Sequence, residues 1–284
     1  MTAFFGMGKL GSGFVRALRR RGKEVRVWNR THARAQALEA WGAAAFQDPA
    51  EAARGATRLH LALSDDASVD EVLEQARAGF AAGVTIVDHT TTSATGTAAR
   101  VARWADRGIT FVHAPVFMGP QNALDSTGIM LVSGDPARVE ALRPALEAMT
   151  GKLSYLGPRT DAAAAFKLMG NLLLMFLTTG LADLLALAKA TGVLPEDAAK
   201  LLDVFNPGVT VAARMNRMVE GKFSEPSWEL AMARKDARLM LEEAARAHVP
   251  LAVLPAIAAR MDTVIAEGHG SADWTVLAKD ALTR

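Results

Sequence analysis

The stretch Thr2-Ala3-Phe4-Phe5-Gly6-Met7-Gly8-Lys9-Leu10-Gly11 sets a short apolar run directly before three glycines spaced G-x-G-x-x-G. Phe14, Val15 and Leu18 follow at helical spacing, and Glu24 to Trp28 forms a second run of strand character. Taken alone the glycine spacing is common. Between a strand, a helix and a second strand it is the turn of a dinucleotide-binding βαβ unit. There Gly6 permits the tight turn, Gly8 lets the backbone approach a pyrophosphate, and Gly11 lets the helix pack close to the strand, with the helix amides facing the phosphates. The other reading is a glycine-rich βα turn that binds nothing.

Working outward, short apolar runs recur at Leu59 to Leu63, Thr85 to Asp88, Ile109 to Val112 and Ile129 to Ser133, most of them followed by a helix-length stretch. This alternation predicts a parallel sheet flanked by helices. From Asp161 on the strand signal stops, and helical patterns run through 161–190, 195–205, 209–220, 227–247, 250–267 and 273–283. The expected class is α/β: a Rossmann-type dinucleotide-binding domain over 1–158, with Gly157-Pro158 as punctuation, then an all-α substrate and dimerisation domain over 159–284.

Composition narrows the function. The 284 residues carry 32 Lys and Arg against 30 Asp and Glu, a formal charge of +2 that gives no support to nucleic-acid binding. There is no cysteine, which excludes disulfides, thiol catalysis and iron–sulfur clusters. Six histidines, at 32, 60, 89, 113, 248 and 269, show no ligand spacing, so no metal is expected. His89 and His113 end strand-like runs on the cofactor side, where lining the cleft and packing in the core are both open. The N-terminus has no signal-like run, which makes the cytoplasm the default location. Leu168 to Ala182, the most apolar segment, includes Asn171 and is flanked by Lys167 and Asp183; it reads as a buried core helix and not a membrane span.

Asn29-Arg30-Thr31 follows the second strand, where an NAD enzyme usually carries Asp or Glu for the ribose 2′-hydroxyl. Arg30 can pair with a 2′-phosphate, and Thr31 and Asn29 can add neutral hydrogen bonds, so NADP(H) is expected over NAD. Alternatively Arg30 is solvated and Thr31 only caps the next helix. Farther along, Lys167 is the single charge within 162–182, with Ala163, Ala164, Gly170 and Asn171 on its helical face. A desolvated ammonium exchanges its proton more readily near neutral pH. Lys167 as acid and Asn171 as an orienting group would suit a carbonyl receiving a hydride. A lysine reaching from a core helix to the rim is the competing reading.

At this point the whole chain resembles the β-hydroxyacid dehydrogenase family, which includes 3-hydroxyisobutyrate dehydrogenases and glyoxylate/succinic semialdehyde reductases. The likeness rests on Gly6 to Gly11, on Ala114-Pro115-Val116 through Ser133-Gly134, on Phe166-Lys167-Leu168 through Asn171, and on Lys235-Asp236. It implies catalysis by Lys167 with Asn171 beside it, and a homodimer built by the helical domain. It also implies a cofactor groove that includes Met7, Lys9, Leu10, Leu63, Ser64, Thr91 and Lys235. Thr91 would reach the nicotinamide or the substrate, and Trp228, eight residues before Asp236, would form a substrate wall or else ordinary core.

The sequence also departs from that pattern. Where members read Asp-Ala-Pro-Val-Ser-Gly-Gly and hold a substrate carboxylate, this chain reads His113-Ala114-Pro115-Val116-Phe117-Met118-Gly119. A hydroxyl is lost and bulk is gained. Phe117, Met118, Gly119 and Asn122 are therefore expected to line a pocket for a larger or less polar carbonyl or hydroxy compound. Two rivals remain: an NADPH-dependent imine reductase, whose relatives generally lack the lysine, and a non-catalytic dinucleotide-binding relative.

Overall fold

The computed structural model describes residues 1–282. Contacts divide the chain into Met1–Leu172 and a second unit from Leu173 onward. In the first, the strands are β1 (Thr2–Phe5), β2 (Val25–Trp28), β3 (Ala44–Phe46), β4 (Arg58–Leu61), β5 (Thr85–Asp88), β6 (Thr110–His113), β7 (Val116–Phe117), β8 (Ile129–Val132) and β9 (Lys152–Tyr155). The helices are α1 (Lys9–Arg20), α2 (His32–Gln36), α3 (Pro49–Ala53), α4 (Asp66–Ala76), α5 (Ala94–Asp106), α6 (Pro120–Asp125) and α7 (Pro136–Glu147), and α8 (Ala162–Ala190) crosses into the second unit.

The main sheet is parallel throughout, in the order β3-β2-β1-β4-β5-β6. Order reverses beside β1, and in open α/β sheets the crevice at the carboxyl ends of such strands is the ligand site. Phe4 and Phe5 point to opposite faces of β1 and join separate apolar clusters, one under α1 and α7, the other under α3, α4 and α5. Arg100 of α5, almost fully buried, is held by Asp66 at 3.0 Å and Asp70 at 2.7 Å, which ties α5 to α4. Asp65 caps α4 by accepting from the Ser68 amide at 2.8 Å.

Two features differ from the sequence expectation. The run at Ile129 leaves the main sheet and forms a second sheet, β7-β8-β9, antiparallel between β7 and β8 and parallel between β8 and β9. The sixth place in the main sheet goes instead to β3, three residues long. And α8, expected to be a buried core helix, presents residues 172–177 each more than half exposed. It is 29 residues long with a window of mean hydropathy 1.8, which by length and composition alone is enough to cross a bilayer.

The second unit continues with α9 (Pro195–Ala199), α10 (Leu201–Val204), α11 (Val211–Val219), α12 (Leu230–Arg246), α13 (Leu254–Val264) and α14 (Lys279–Leu282). All its described elements are helical, apart from one isolated bridge, Glu229 to Asp273. The expected pattern 273–283 ends one residue beyond the described residues. Asp183 of α8 accepts from the amides of Ala252, Val253 and Leu254 at 2.6 to 3.0 Å, satisfying donors at the start of α13.

Candidate active site

The glycine turn has little freedom to be anything else. Gly6 sits at φ +95°, and a Cβ there would lie 2.2 Å from the Ala62 carbonyl oxygen. A Cβ on Gly11 would lie 1.9 Å from the Gly6 oxygen, which is the close helix–strand packing the motif needs. Gly8 differs: a Cβ there meets nothing within 4 Å, because the residue faces open space at the start of α1. No side chain caps α1, so its first amides are left for a ligand.

Two hollows flank the turn along the carboxyl ends of the strands. One, of about 280 Å³, is lined by Gly8, Lys9, Leu10, Gly11, Leu63, Ser64, His89, Thr90 and Thr91. The other, of about 340 Å³, is lined by Gly6, Gly8, Asn29, Arg30, Thr31, Arg34, Leu63, Ser64, Glu71 and Gln75 among others. Thus every cofactor residue expected from the first 100 positions except Met7 borders this groove. Met7 is buried, and its amide donates to Asn29 Oδ1 at 2.9 Å, while Asn29 Nδ2 donates to the Thr31 carbonyl at 2.9 Å. Asn29 therefore braces the glycine turn with both ends of its amide. Thr31 starts α2 without making a side-chain cap, which leaves its hydroxyl available. Arg34, one turn into α2, was not singled out from sequence; it adds a second guanidinium beside Arg30.

A nicotinamide dinucleotide fits this donor set. Open space at Gly8 and the uncapped amides of α1 match a pyrophosphate, and Arg30 and Arg34 line the far end of the groove.

The loop after β5 is fixed by a buried carboxylate. Asp88 Oδ1 accepts from the Thr90 amide at 2.9 Å, and Thr90 Oγ1 accepts from the Leu63 amide at 2.9 Å, which holds the two groove-lining loops together. Burial pushes the Asp88 carboxyl up to about 6. His89 and His113 settle as core residues: each is almost fully buried, and burial draws each down to about 4. His89 Nδ1 lies 2.7 Å from the Ala114 carbonyl and Nε2 lies 2.9 Å from His60 Nδ1, so its nitrogens are committed even though its ring borders the groove.

Lys167, on the first turns of α8, is buried although charged. Its Nζ donates to Asn171 Oδ1 at 2.9 Å and lies 4.2 Å from the centre of the Phe117 ring, a cation–π contact. Burial holds its pKa below the ordinary lysine value. Lys167, Asn171, Phe117 and Gly170 thus form one cluster within the first unit. Met118 packs against Gly128, and Asn122 is turned inward: its Oδ1 accepts from the Gly119 amide at 2.9 Å and its Nδ2 donates to Thr127 Oγ1 at 2.9 Å.

Trp228 and Lys235 belong to the second unit. The Trp228 ring packs 5.2 Å from that of Trp274 and stays partly exposed, and the segment is pinned by buried Asp273, which accepts from the Ser227 amide and hydroxyl at 2.8 and 2.9 Å. Lys235 is exposed on α12 and pairs with Asp236 at 2.6 Å. Among the described residues no cluster of His, Asp and Glu suits a metal ion.

Comparison with known proteins agrees with this geometry. Residues 1–157 match the NAD binding domain of 6-phosphogluconate dehydrogenase, and residues 162–280 match the NAD-binding domain of NADP-dependent 3-hydroxyisobutyrate dehydrogenase. An oxidoreductase of Shewanella frigidimarina is 30% identical over 89% of both chains, and the 3-sulfolactaldehyde reductase of Escherichia coli is 25% identical over 97% of this chain and 93% of its own. In fold, the imine reductase of Myxococcus stipitatus superposes with a TM-score of 0.91 at 20% identity, covering 98% of this chain and 99% of that one. A nucleotide groove on this topology, together with the family matches, defines a nicotinamide-dependent oxidoreductase. The chain belongs to the β-hydroxyacid dehydrogenase family of the 3-hydroxyisobutyrate dehydrogenase type.

Proposed function

We propose that this oxidoreductase uses NADP(H) and interconverts a carbonyl with its alcohol, with Lys167 as the proton-transferring group. The observation that carries the reading is the buried Lys167–Asn171 pair. The cofactor, when bound, supplies or accepts the hydride. Lys167 Nζ gives its proton to the carbonyl oxygen as that oxygen gains charge, and takes one back in the reverse direction. Asn171 holds the ammonium through its Oδ1, and burial lowers the cost of releasing the proton. Arg30 and Arg34, with the Thr31 hydroxyl, hold the 2′-phosphate; no carboxylate stands among residues 29–31 to repel it. The family resemblance assigns Lys235 to the cofactor and Trp228 to the substrate.

The working form is a homodimer. Residues 172–177 are all apolar and each more than half exposed, and a second copy covers them. A bilayer is the poorer cover, because Asp183 on the same helix is committed to the backbone amides of residues 252–254.

Imine reduction is a second reading, favoured by the likeness in fold to imine reductases. NADPH oxidation measured against aldehydes, ketones and cyclic imines, with NADH in parallel, separates the two. Carbonyl turnover with NADPH supports the first reading, and turnover of imines alone replaces it with the second.

A further inference from the structure

The groups around Lys167 point to the substrate class. Its ammonium has two neighbours, the Asn171 carboxamide oxygen at 2.9 Å and the face of Phe117 at 4.2 Å from the ring centre. Neither attracts an anion, since an aromatic face carries negative charge density. In the adjoining segment the Gly119 amide donates to Asn122 Oδ1, and Asn122 Nδ2 donates to Thr127 Oγ1, each at 2.9 Å. The ring is held in place by what is missing opposite it. A Cβ on Gly170 would lie 2.2 Å from Phe117 Cζ and 2.7 Å from Cε1, so the ring lies directly on the α8 backbone.

We propose that Phe117, seated on Gly170, is the specificity-determining residue that closes the Lys167 site to carboxylate-bearing substrates and reserves it for uncharged aldehydes or ketones. This rests on the carbonyl-reducing reading above. A carboxylate arriving at Lys167 would have to shed its water against an aromatic face whose charge density repels it, and the ammonium that could attract it is already shared with Asn171 and with that ring. An uncharged carbonyl with an alkyl or aryl group sheds little and packs on the ring. Gly170 acts as a positioning residue, touching the substrate site only through Phe117.

The test uses pentanal and 4-oxobutanoate, alike in length and different in charge. With NADPH, the wild type is expected to favour pentanal, and Phe117→Ser to lower the ratio of the two kcat/KM values at least tenfold. Gly170→Ala is expected to depress pentanal turnover in the wild-type background, and to cost no more than twofold when Phe117→Ser has removed the ring. Calorimetric titration of pentanoate into the NADP⁺-loaded protein gives a readout apart from turnover, with binding at least tenfold tighter in Phe117→Ser. An unchanged kcat/KM ratio together with unchanged pentanoate affinity overturns the proposal. Absence of turnover with every carbonyl tried counts against the carbonyl-reducing reading alone, because the pentanoate titration still reports on Phe117.

Discussion

Arg30 and Arg34 bring two guanidinium groups to the hollow beside β2, and the acidic group nearest them in its lining, Glu71, is engaged by Gln75 at 3.1 Å. Charge-assisted contacts to a phosphate are strong, and each is worth about 1.5 to 3 kcal/mol. Arg30→Asp is therefore expected to weaken NADPH binding at least tenfold and to leave NADH binding as tight or tighter, as read by fluorescence titration of both cofactors. Equal affinity of wild type and variant for NADPH would remove Arg30 from the cofactor site. At this scale the sequence is most legible where chemistry and spacing coincide. Gly6 and Gly11 announce their roles because only a missing side chain fits those places, and Gly8 because its bare backbone leaves open space at the start of α1. Lys167 stands out because a lone charge on an apolar helix needs a reason. Asn122 and Asn29 are less legible. Each was expected to face a ligand, and each spends its amide on neighbouring residues of the chain. Arg34 carried a signal that could have been used, since it lies three residues after Thr31 on the first turn of a helix whose start points into the groove.

Strands β4, β5 and β6 carry His60, the Asp88–His89 pair and His113 into the core, and their burial makes stability depend on pH. Burial draws His89 and His113 down to about 4 from the ordinary 6.5, and lowers His60 as well. Unfolded, the three bind protons below pH 6.5; folded, His89 and His113 stay neutral until about pH 4, and burial disfavours the charged form of His60 as well. Their contribution is present above 6.5 and is lost as pH falls. Asp88 works the other way: raised to about 6, it binds a proton that the unfolded chain releases near 3.8, so its contribution is lost as pH rises through 6. Between pH 4 and 6 the three histidines outweigh the one carboxyl. At about 1.4 kcal/mol per pH unit for each net proton, His89 and His113 against Asp88 lower stability by about 1.4 kcal/mol per unit on acidification, and His60 adds in the same direction. Urea unfolding at pH 5 and pH 7 is expected to show the lower midpoint at pH 5; an equal or higher midpoint there would show that these groups are not buried neutral. Elements were legible wherever the apolar run was long enough. β1, β2 and β5 stand where the sequence places them; β3 and β7 are missed at three and two residues, and β9 because Lys152 and Ser154 interrupt any apolar run. An apolar run identifies a strand without naming its sheet, which is why β8 was expected in the main sheet and is found outside it.

For the whole molecule, the least legible feature is α8. Composition reports that the helix is apolar, but not what lies against it, and a buried core helix and an interface helix share one pattern. In the isolated chain residues 172–177 are exposed, so that part of α8 is not a buried core helix there. Light scattering of the purified protein is expected to give twice the chain mass, and Met175→Lys to reduce that mass or to make the protein aggregate; a monomeric wild type would leave α8 without a partner. The α/β class, the glycine turn and the all-helical second part were legible because each is written in periodicity over many residues. The account as a whole turns on proton transfer by Lys167. The most direct measurement is the rate of NADPH-dependent carbonyl reduction by Lys167→Ala beside the wild type, with NADPH binding checked in both. General acid catalysis contributes about 10²- to 10⁴-fold. A fall in kcat of at least a hundredfold with NADPH binding intact is the expected result, and an unchanged kcat would contradict the account.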